Sequence, residues 1–354
     1  MSWLAIWVVK YLLPALAWLR SIPMPGARSQ DVFREARSKA CVMELVNNVD
    51  RTLGPALQSP SLNAQLKACY ALENFEALFA VEGLGFHLAE ELDRRGSPGA
   101  AILTGDQTAS VPSKSLSMLH AGIGISFARQ SFEGFGAHDS SDSLGRSLER
   151  FRSLCEKASQ PGYLGCALES LGIPTVILHG LQMPGRLHSI WSRSDPIANE
   201  CMWRGVGRAL YFSPKNFVPR RSRWPGFALA DALAPDATAR LNMHAGMAWA
   251  ITMVNLRDPH VMESVLRERA NADPEARSAF VSGVVSARLI RHDTTPDDPL
   301  VDAFVAHRPH DETTSRLWEH DIAVPCRTAM RDVYPVLRAS GGLDTLFRYQ
   351  QLDS

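Results

Sequence analysis

Leu119-His-Ala-Gly-Ile-Gly-Ile-Ser-Phe-Ala128, Met202-Trp-Arg-Gly-Val-Gly-Arg-Ala-Leu-Tyr211 and Met243-His-Ala-Gly-Met-Ala-Trp-Ala-Ile-Thr252 are three versions of one phrase. Each sets a bulky residue two or three places ahead of a glycine and then alternates small and apolar side chains. The leading glycines, Gly122, Gly205 and Gly246, lie 83 and 41 residues apart, close to two units and one unit of a single period. Self-similarity at this spacing marks stacked copies of one supersecondary unit that share a continuous core. The fold expected is mostly α: small-residue-rich helix pairs stacked on one another, with an internal repeat and the three phrases in equivalent, adjacent places.

The segments between the phrases carry the same helical period. Asn74 to Gly96 is the clearest helix, with Asn74 as its cap, Glu76 in the first turn, arginines at the end and Gly96 after them. Gly83 and Gly85 fall in its middle, where each glycine costs about 1 kcal/mol relative to alanine. Either another backbone packs closely there or the helix breaks. Gly162 to Ile173, Trp224 to Pro235 and Arg277 to Arg291 read as further helices, and Asp31 to Leu57 as one or two amphipathic surface helices. The β-branched run Thr175-Val-Ile-Leu178 admits a strand and keeps α+β as the alternative. Asp297 to Leu300 and His307 to Arg316 read as charged loops.

The 354 residues carry 37 basic and 37 acidic side chains, a balance without the clustered basic excess of a nucleic-acid surface. Six scattered cysteines form no CxxC pair and read as reduced core thiols of a cytosolic protein. Residues 1–25 stand apart from the remaining 26–354, which read as one repeat-built helical domain. From Trp3 to Leu19 the chain is apolar apart from Lys10, lacks the basic start of a secretory signal, and carries Trp3, Trp7 and Trp18. A membrane-interface anchor, a helix docked on the protein's own core and a membrane span are all open for it. The expected location is the cytoplasm, with the inner membrane face as a resting place for this segment.

No motif fixes a reaction. A dinucleotide fingerprint needs a third glycine where this chain has Phe127 and Leu210. There is no G-x-S-x-G elbow or papain-type cysteine context. The late His/Asp-rich stretch from His292 to Asp321 lacks HExxH or facial-triad spacing, so it reads as a solvated loop, and neither a metal nor a cofactor is expected. Glu82, in the apolar run Ala-Val-Glu-Gly-Leu-Gly-Phe, must be paired, protonated or catalytic if buried. Arg208 stands among apolar neighbours and requires an anion, for which Glu82 is one candidate. His120 and His244 hold matching places in two phrases, with Trp203 in the third; each serves as a carbonyl-bonded structural residue, as an acid/base or as a metal ligand. Glu82, Arg208, His120 and His244 are the catalytic candidates.

Phe79-Ala-Val-Glu-Gly83, the three phrases and Ser282-Gly-Val-Val-Ser-Ala-Arg288 together resemble, in order, the blocks of a bacterial family of unassigned domain function. That family is known as an accessory protein of enediyne polyketide clusters and from other natural-product clusters. The resemblance spans about residues 60 to 310 and matches Glu82, Gly83, Gly122, Gly124, Gly207, Arg208, Gly246, Gly283 and Arg288. In place of the family's aspartate- and histidine-bearing middle block this chain has His179 to His188, which leaves Arg186 and His188 as substitutes. The resemblance implies a role in secondary-metabolite biosynthesis of polyketide, enediyne-like or terpenoid type. One form of that role is an accessory factor that binds an apolar polyene or an assembly-line enzyme. The other is a cyclase or isomerase acting on a polyene or prenyl chain, with Glu82 as acid/base. Neither form involves nucleic acid, and the oligomeric state is open.

Overall fold

Two glycines spaced i, i+2 point about 200° apart around an α-helix, so they open opposite flanks to close neighbours. That is how the phrases are used. The computed structural model describes residues 13–21, 29–59, 61–97, 102–104, 111–136, 139–217 and 224–351, and every regular element among them is helical. In chain order these include α1 (Leu13–Ser21), α2 (Ser29–Asn47), α3 (Leu62–Tyr70), α4 (Asn74–Arg94) and α5 (Leu116–Ser131). Next come α6 (Ser141–Ala158), α7 (Leu164–Glu169), α8 (Gly172–His179), α9 (Met183–Ser194), α10 (Pro196–Phe212) and α11 (Pro225–Leu233). After these come α12 (Ala237–Asn255), α13 (Pro259–Glu268), α14 (Pro274–Thr294), α15 (Pro299–Ala306) and α16 (Glu312–Trp318), with shorter helical segments between them and to the end.

The helices α4, α5, α7–α8, α10, α12 and α14 form a row in which each packs on the next. Gly85 of α4 lies on the Leu119 carbonyl of α5, and Gly122 of α5 lies on the Glu82 carbonyl of α4. The two carbonyls belong to the residues three before the facing glycines, so the contact is reciprocal. Gly207 on the Met243 carbonyl and Gly246 on the Arg204 carbonyl repeat it between α10 and α12. Between α8 and α10 it recurs as Gly172 on the Met202 carbonyl and Gly205 on the Glu169 carbonyl. A methyl group at Gly122 would overlap the Glu82 carbonyl oxygen, so only glycine allows this approach.

Gly122, Gly205 and Gly246 all sit mid-helix and buried. The helices α10 and α12 are direct neighbours, whereas α7–α8 stands between α5 and α10. It is the row member that the three phrases skip. Its glycine position is Ser170, whose Oγ donates to the Ala121 carbonyl at 2.7 Å. Pro174 has no N–H for the carbonyl four residues back, and the helix is split at Ser170 and Leu171. The Thr175 to Leu178 run, which admitted a strand as the alternative, is thus helix: Thr175 Oγ1 bonds the Leu171 and Gly172 carbonyls at 2.9 and 3.0 Å, and packing on α10 overrides β propensity.

Helix starts share the register. Asp195, Asp236 and Asp273 each accept from the third N–H of α10, α12 and α14, ten residues before Gly205, Gly246 and Gly283. Glu73 holds the same place before Gly83, so Asn74 is the first residue of its helix rather than its cap. The ends of the row meet where Arg291 of α14 donates to the Phe75 carbonyl of α4 at 3.3 Å and, through Nε, to Asp298 at 2.8 Å.

The helix α2 is amphipathic as expected, with Phe33, Arg34 and Arg37 exposed on one face. It packs on α4, and its Glu35 and Lys39 are buried in a network with Tyr211 and the Asn216 carbonyl. Against α2 lies α1, seating Ala17 beside Val32, Ala36 and Phe217, while Leu16, Trp18 and Leu19 face outward. No helix among the described residues is long and apolar enough to cross a membrane. The run before Leu13 lies outside the described residues.

Candidate functional site

With the two small residues of each row helix facing its neighbours, the residues one before and three after the first of them share a third face, being one turn apart. These places hold Glu82 on α4, Glu169 on α7, Arg204 and Arg208 on α10, Trp249 on α12 and Ser286 on α14. All six are buried, and they meet. Arg208 Nη2 donates to Glu82 Oε1 at 2.9 Å and Nη1 to Glu169 Oε2 at 2.6 Å. Arg204 Nη1 donates to Glu169 Oε1 at 2.9 Å and Nη2 to Ser286 Oγ at 2.9 Å. The Arg208 guanidinium lies 4.3 Å from the Trp249 ring centroid.

Two carboxylates and two guanidiniums cancel in charge, which is the condition for burying them together. Burial pushes Glu82 above the ordinary carboxylate value against the pull of Arg208. Burial lowers Arg204. It also pulls on Arg208, but Glu169 and Glu82 together raise that group above its usual value. This arrangement ties α4, α7, α10 and α14 across the interior, and every charged member is engaged by another.

The histidines are elsewhere. Lying two residues before the leading glycine, His120 and His244 project on the opposite flank from Glu82 and Arg208. The backbone N–H of Gln160 donates to His120 Nε2 at 3.0 Å, which puts the ring proton on Nδ1, bonded to the Leu116 carbonyl at 2.6 Å. Burial lowers its pKa to about 4, and Tyr163 stacks on it at 5.1 Å. His244 Nε2 bonds Asp231 at 2.8 Å while Nδ1 accepts from Arg269 at 3.2 Å. Burial first, then Arg269, lowers it to about 4 as well. His188 Nδ1 accepts from Trp203 Nε1 at 3.1 Å, and Arg186 bonds the Gly136 carbonyl at 3.1 Å. Thus Glu82 and Arg208 come together, and the four histidine and arginine candidates stand apart from them.

Glu169 and Arg204 are the charged members that sequence reading missed, although Glu169-Ser-Leu-Gly172 repeats Glu82-Gly-Leu-Gly85 with serine for the first glycine. The late acidic stretch is a solvated loop only in part: Asp297, His310 and Asp311 are exposed, but other aspartates turn inward. Asp298 caps α15 and pairs with Arg291, Asp293 accepts from Tyr334 at 2.9 Å, and Asp321 pairs with Arg277; all three aspartates are buried.

Two surface clefts lie away from the charge cluster. The larger, about 960 Å³, runs between α4 and the α3 segment, with Leu57, Leu62, Leu88, Leu92 and Ile102 as its apolar wall and His87, Glu91 and Arg95 along it. Burial lowers the His87 pKa. The smaller, about 490 Å³, is lined by Arg288, Arg308, Arg327 and Arg331 together with Asp302. In comparisons with known proteins the chain matches no family model, no curated protein and no solved structure.

Proposed function

We propose that this protein is an accessory factor of secondary-metabolite biosynthesis that holds an apolar polyene in the cleft between α4 and α3. The observation that carries this reading is the engagement of Glu82: its carboxylate is paired with Arg208 inside the helix row, where it serves the fold. The cleft, by contrast, sets a wall of four leucines and an isoleucine against a polar side of Gln58, Ser59, Ser61, Asn63, Gln65, His87, Glu91 and Arg95, which suits a molecule with an apolar chain and a polar end. Its volume falls within the range of about 300–1,000 Å³ usual for such ligands. The order of sequence blocks shared with the natural-product accessory family supports the same reading, and a polyene fits the apolar substrates of such pathways.

Titration of the full chain with a fluorescent conjugated polyene carboxylic acid tests it. Saturable binding near one molecule per chain, lost in Leu88→Arg but kept in Glu82→Gln, is expected. Binding that Leu88→Arg leaves untouched removes the cleft from the account.

A further inference from the structure

His260 and Glu263 occupy the first turns of α13, three residues apart and so on one face of the helix. His307 follows α15 directly and reaches them from a separate part of the chain. His260 Nδ1 lies 3.0 Å from Glu263 Oε1, and His307 Nε2 lies 2.7 Å from the same oxygen. One ligand atom from each of the three residues falls within 4.8 Å of the other two. The second carboxylate oxygen, Oε2, is held by Arg267 at 3.4 Å. Trp318 walls one side of the group, its ring centroid 4.8 Å from that of His307. Glu263 is buried and His307 largely so, while His260 is at the surface with 36% of its side chain exposed.

We propose that His260, Glu263 and His307 bind a divalent first-row transition ion of the zinc type. Two imidazoles and one carboxylate oxygen are a donor set that such ions take, at about 2.0–2.2 Å from each ligand. In a tetrahedral site those bond lengths separate ligand atoms by roughly 3.3 Å. The two nitrogen–oxygen distances present need to open by only a few tenths of an ångström, and the His260 ring, partly exposed and edge-on to the His307 ring at 5.4 Å, has solvent on one side to move into. The proton that each ring shares with Glu263 passes to the ring's other nitrogen, so that the nitrogen facing Oε1 can ligate the ion. Three protein ligands leave a fourth position, and the exposure of His260 places it within reach of water. Arg267 on Oε2 directs Oε1 toward the ion, the supporting contact that ligating carboxylates commonly have. The aromatic wall of Trp318 closes the opposite side.

The site is independent of the polyene cleft and of the Glu82 cluster, so its failure leaves the proposed function intact. The test is calorimetric titration of the full, chelator-treated protein with zinc chloride, together with the visible absorption of its cobalt(II) form. One zinc per chain with micromolar or tighter affinity, and intense tetrahedral cobalt bands, are expected. Glu263→Gln and His260→Ala are each expected to weaken zinc binding at least tenfold. Because His260 is exposed, His260→Ala serves even if Glu263→Gln fails to fold, as judged by circular dichroism. Less than one equivalent of zinc, or an affinity that a folded His260→Ala protein retains, would overturn the assignment and leave the group a hydrogen-bonded clip between α13 and the chain after α15.

Discussion

Arg208 meets Glu82 across 126 positions of sequence, its Nη2 on the carboxylate at 2.9 Å, with both residues buried. The contact joins the fourth helix of the row to the first, and it is available only because the glycines let the helices come close enough for both side chains to reach inward. Packing of the row and pairing of the charges are therefore one structural fact, and they stand or fall together.

The glycine contacts give opposite expectations for the same substitution at two helical sites. Gly122→Ala places a methyl group into the Glu82 carbonyl, where only backbone can yield, and a loss of about 3 kcal/mol is expected. Gly145, in the interior of α6, has open space around the same added atom. There Gly145→Ala is expected to stabilise by about 0.5–1 kcal/mol, from helix propensity alone. Urea denaturation of both variants measures the difference.

Removing Arg208 leaves Glu82 without its partner and Glu169 with one of two. Arg208→Ala is expected to cost about 3–5 kcal/mol, the range for an uncompensated buried charge. Arg208→Lys recovers little, since one ammonium cannot present two terminal nitrogens to two carboxylates in the fixed fork of a guanidinium. Thermal unfolding of the two variants against the parent checks both statements.

Acid stability follows from the two buried histidines. A histidine whose folded pKa is lowered stays neutral in the fold while the unfolded chain takes up the proton. Its contribution is present above the unfolded pKa of about 6.5 and is lost as pH falls from there toward about 4. Each can contribute on the order of 3 kcal/mol over that window. His120→Gln, which keeps a donor and an acceptor without titrating, is expected to flatten the fall in melting temperature between pH 6.5 and 4. An unchanged pH profile in that variant would show that His120 is not the group being protonated.

The outward face of α1 carries Leu16, Trp18 and Leu19 while Ala17 holds it to α2. We expect Leu16→Glu with Leu19→Glu to abolish co-sedimentation with anionic lipid vesicles without lowering the melting temperature. A chain beginning at Met24 is expected to fold but to lose some stability, because Val32, Ala36 and Phe217 are uncovered.

The helical class and the use of glycine for close approach were legible in the three phrases, because a 41-residue spacing and an i, i+2 glycine pair leave marks in one sequence. Likewise, Glu82 and Arg208 were legible as a pair, since two lone charges in apolar runs must answer each other. Ser170 hid the fourth unit by replacing glycine with a residue that does the same job through its hydroxyl, and Glu169 was hidden with it. His120 and His244 misled for a different reason. Equal position in the repeat gave them equal facing, but facing is set by the helix, and theirs is the flank away from Arg208. Of the His260, Glu263 and His307 group only His307 stood out in the sequence, within the late His/Asp-rich stretch; 44 positions separate it from Glu263, and only the return of the chain after α15 brings them together.

The most direct measurement is made on Glu82→Gln, which keeps the volume of the side chain and removes its charge. Thermal unfolding of the purified variant is paired with mass-spectrometric profiling of the metabolites made by a producing strain that carries it. The account predicts a melting temperature lower by roughly 5 to 10 °C, as expected for a buried guanidinium left short of one partner. It also predicts the same final metabolites, at most in lower yield. A variant as stable as the parent that accumulates a discrete unprocessed intermediate would contradict it, and would make Glu82 the acid or base of a chemical step.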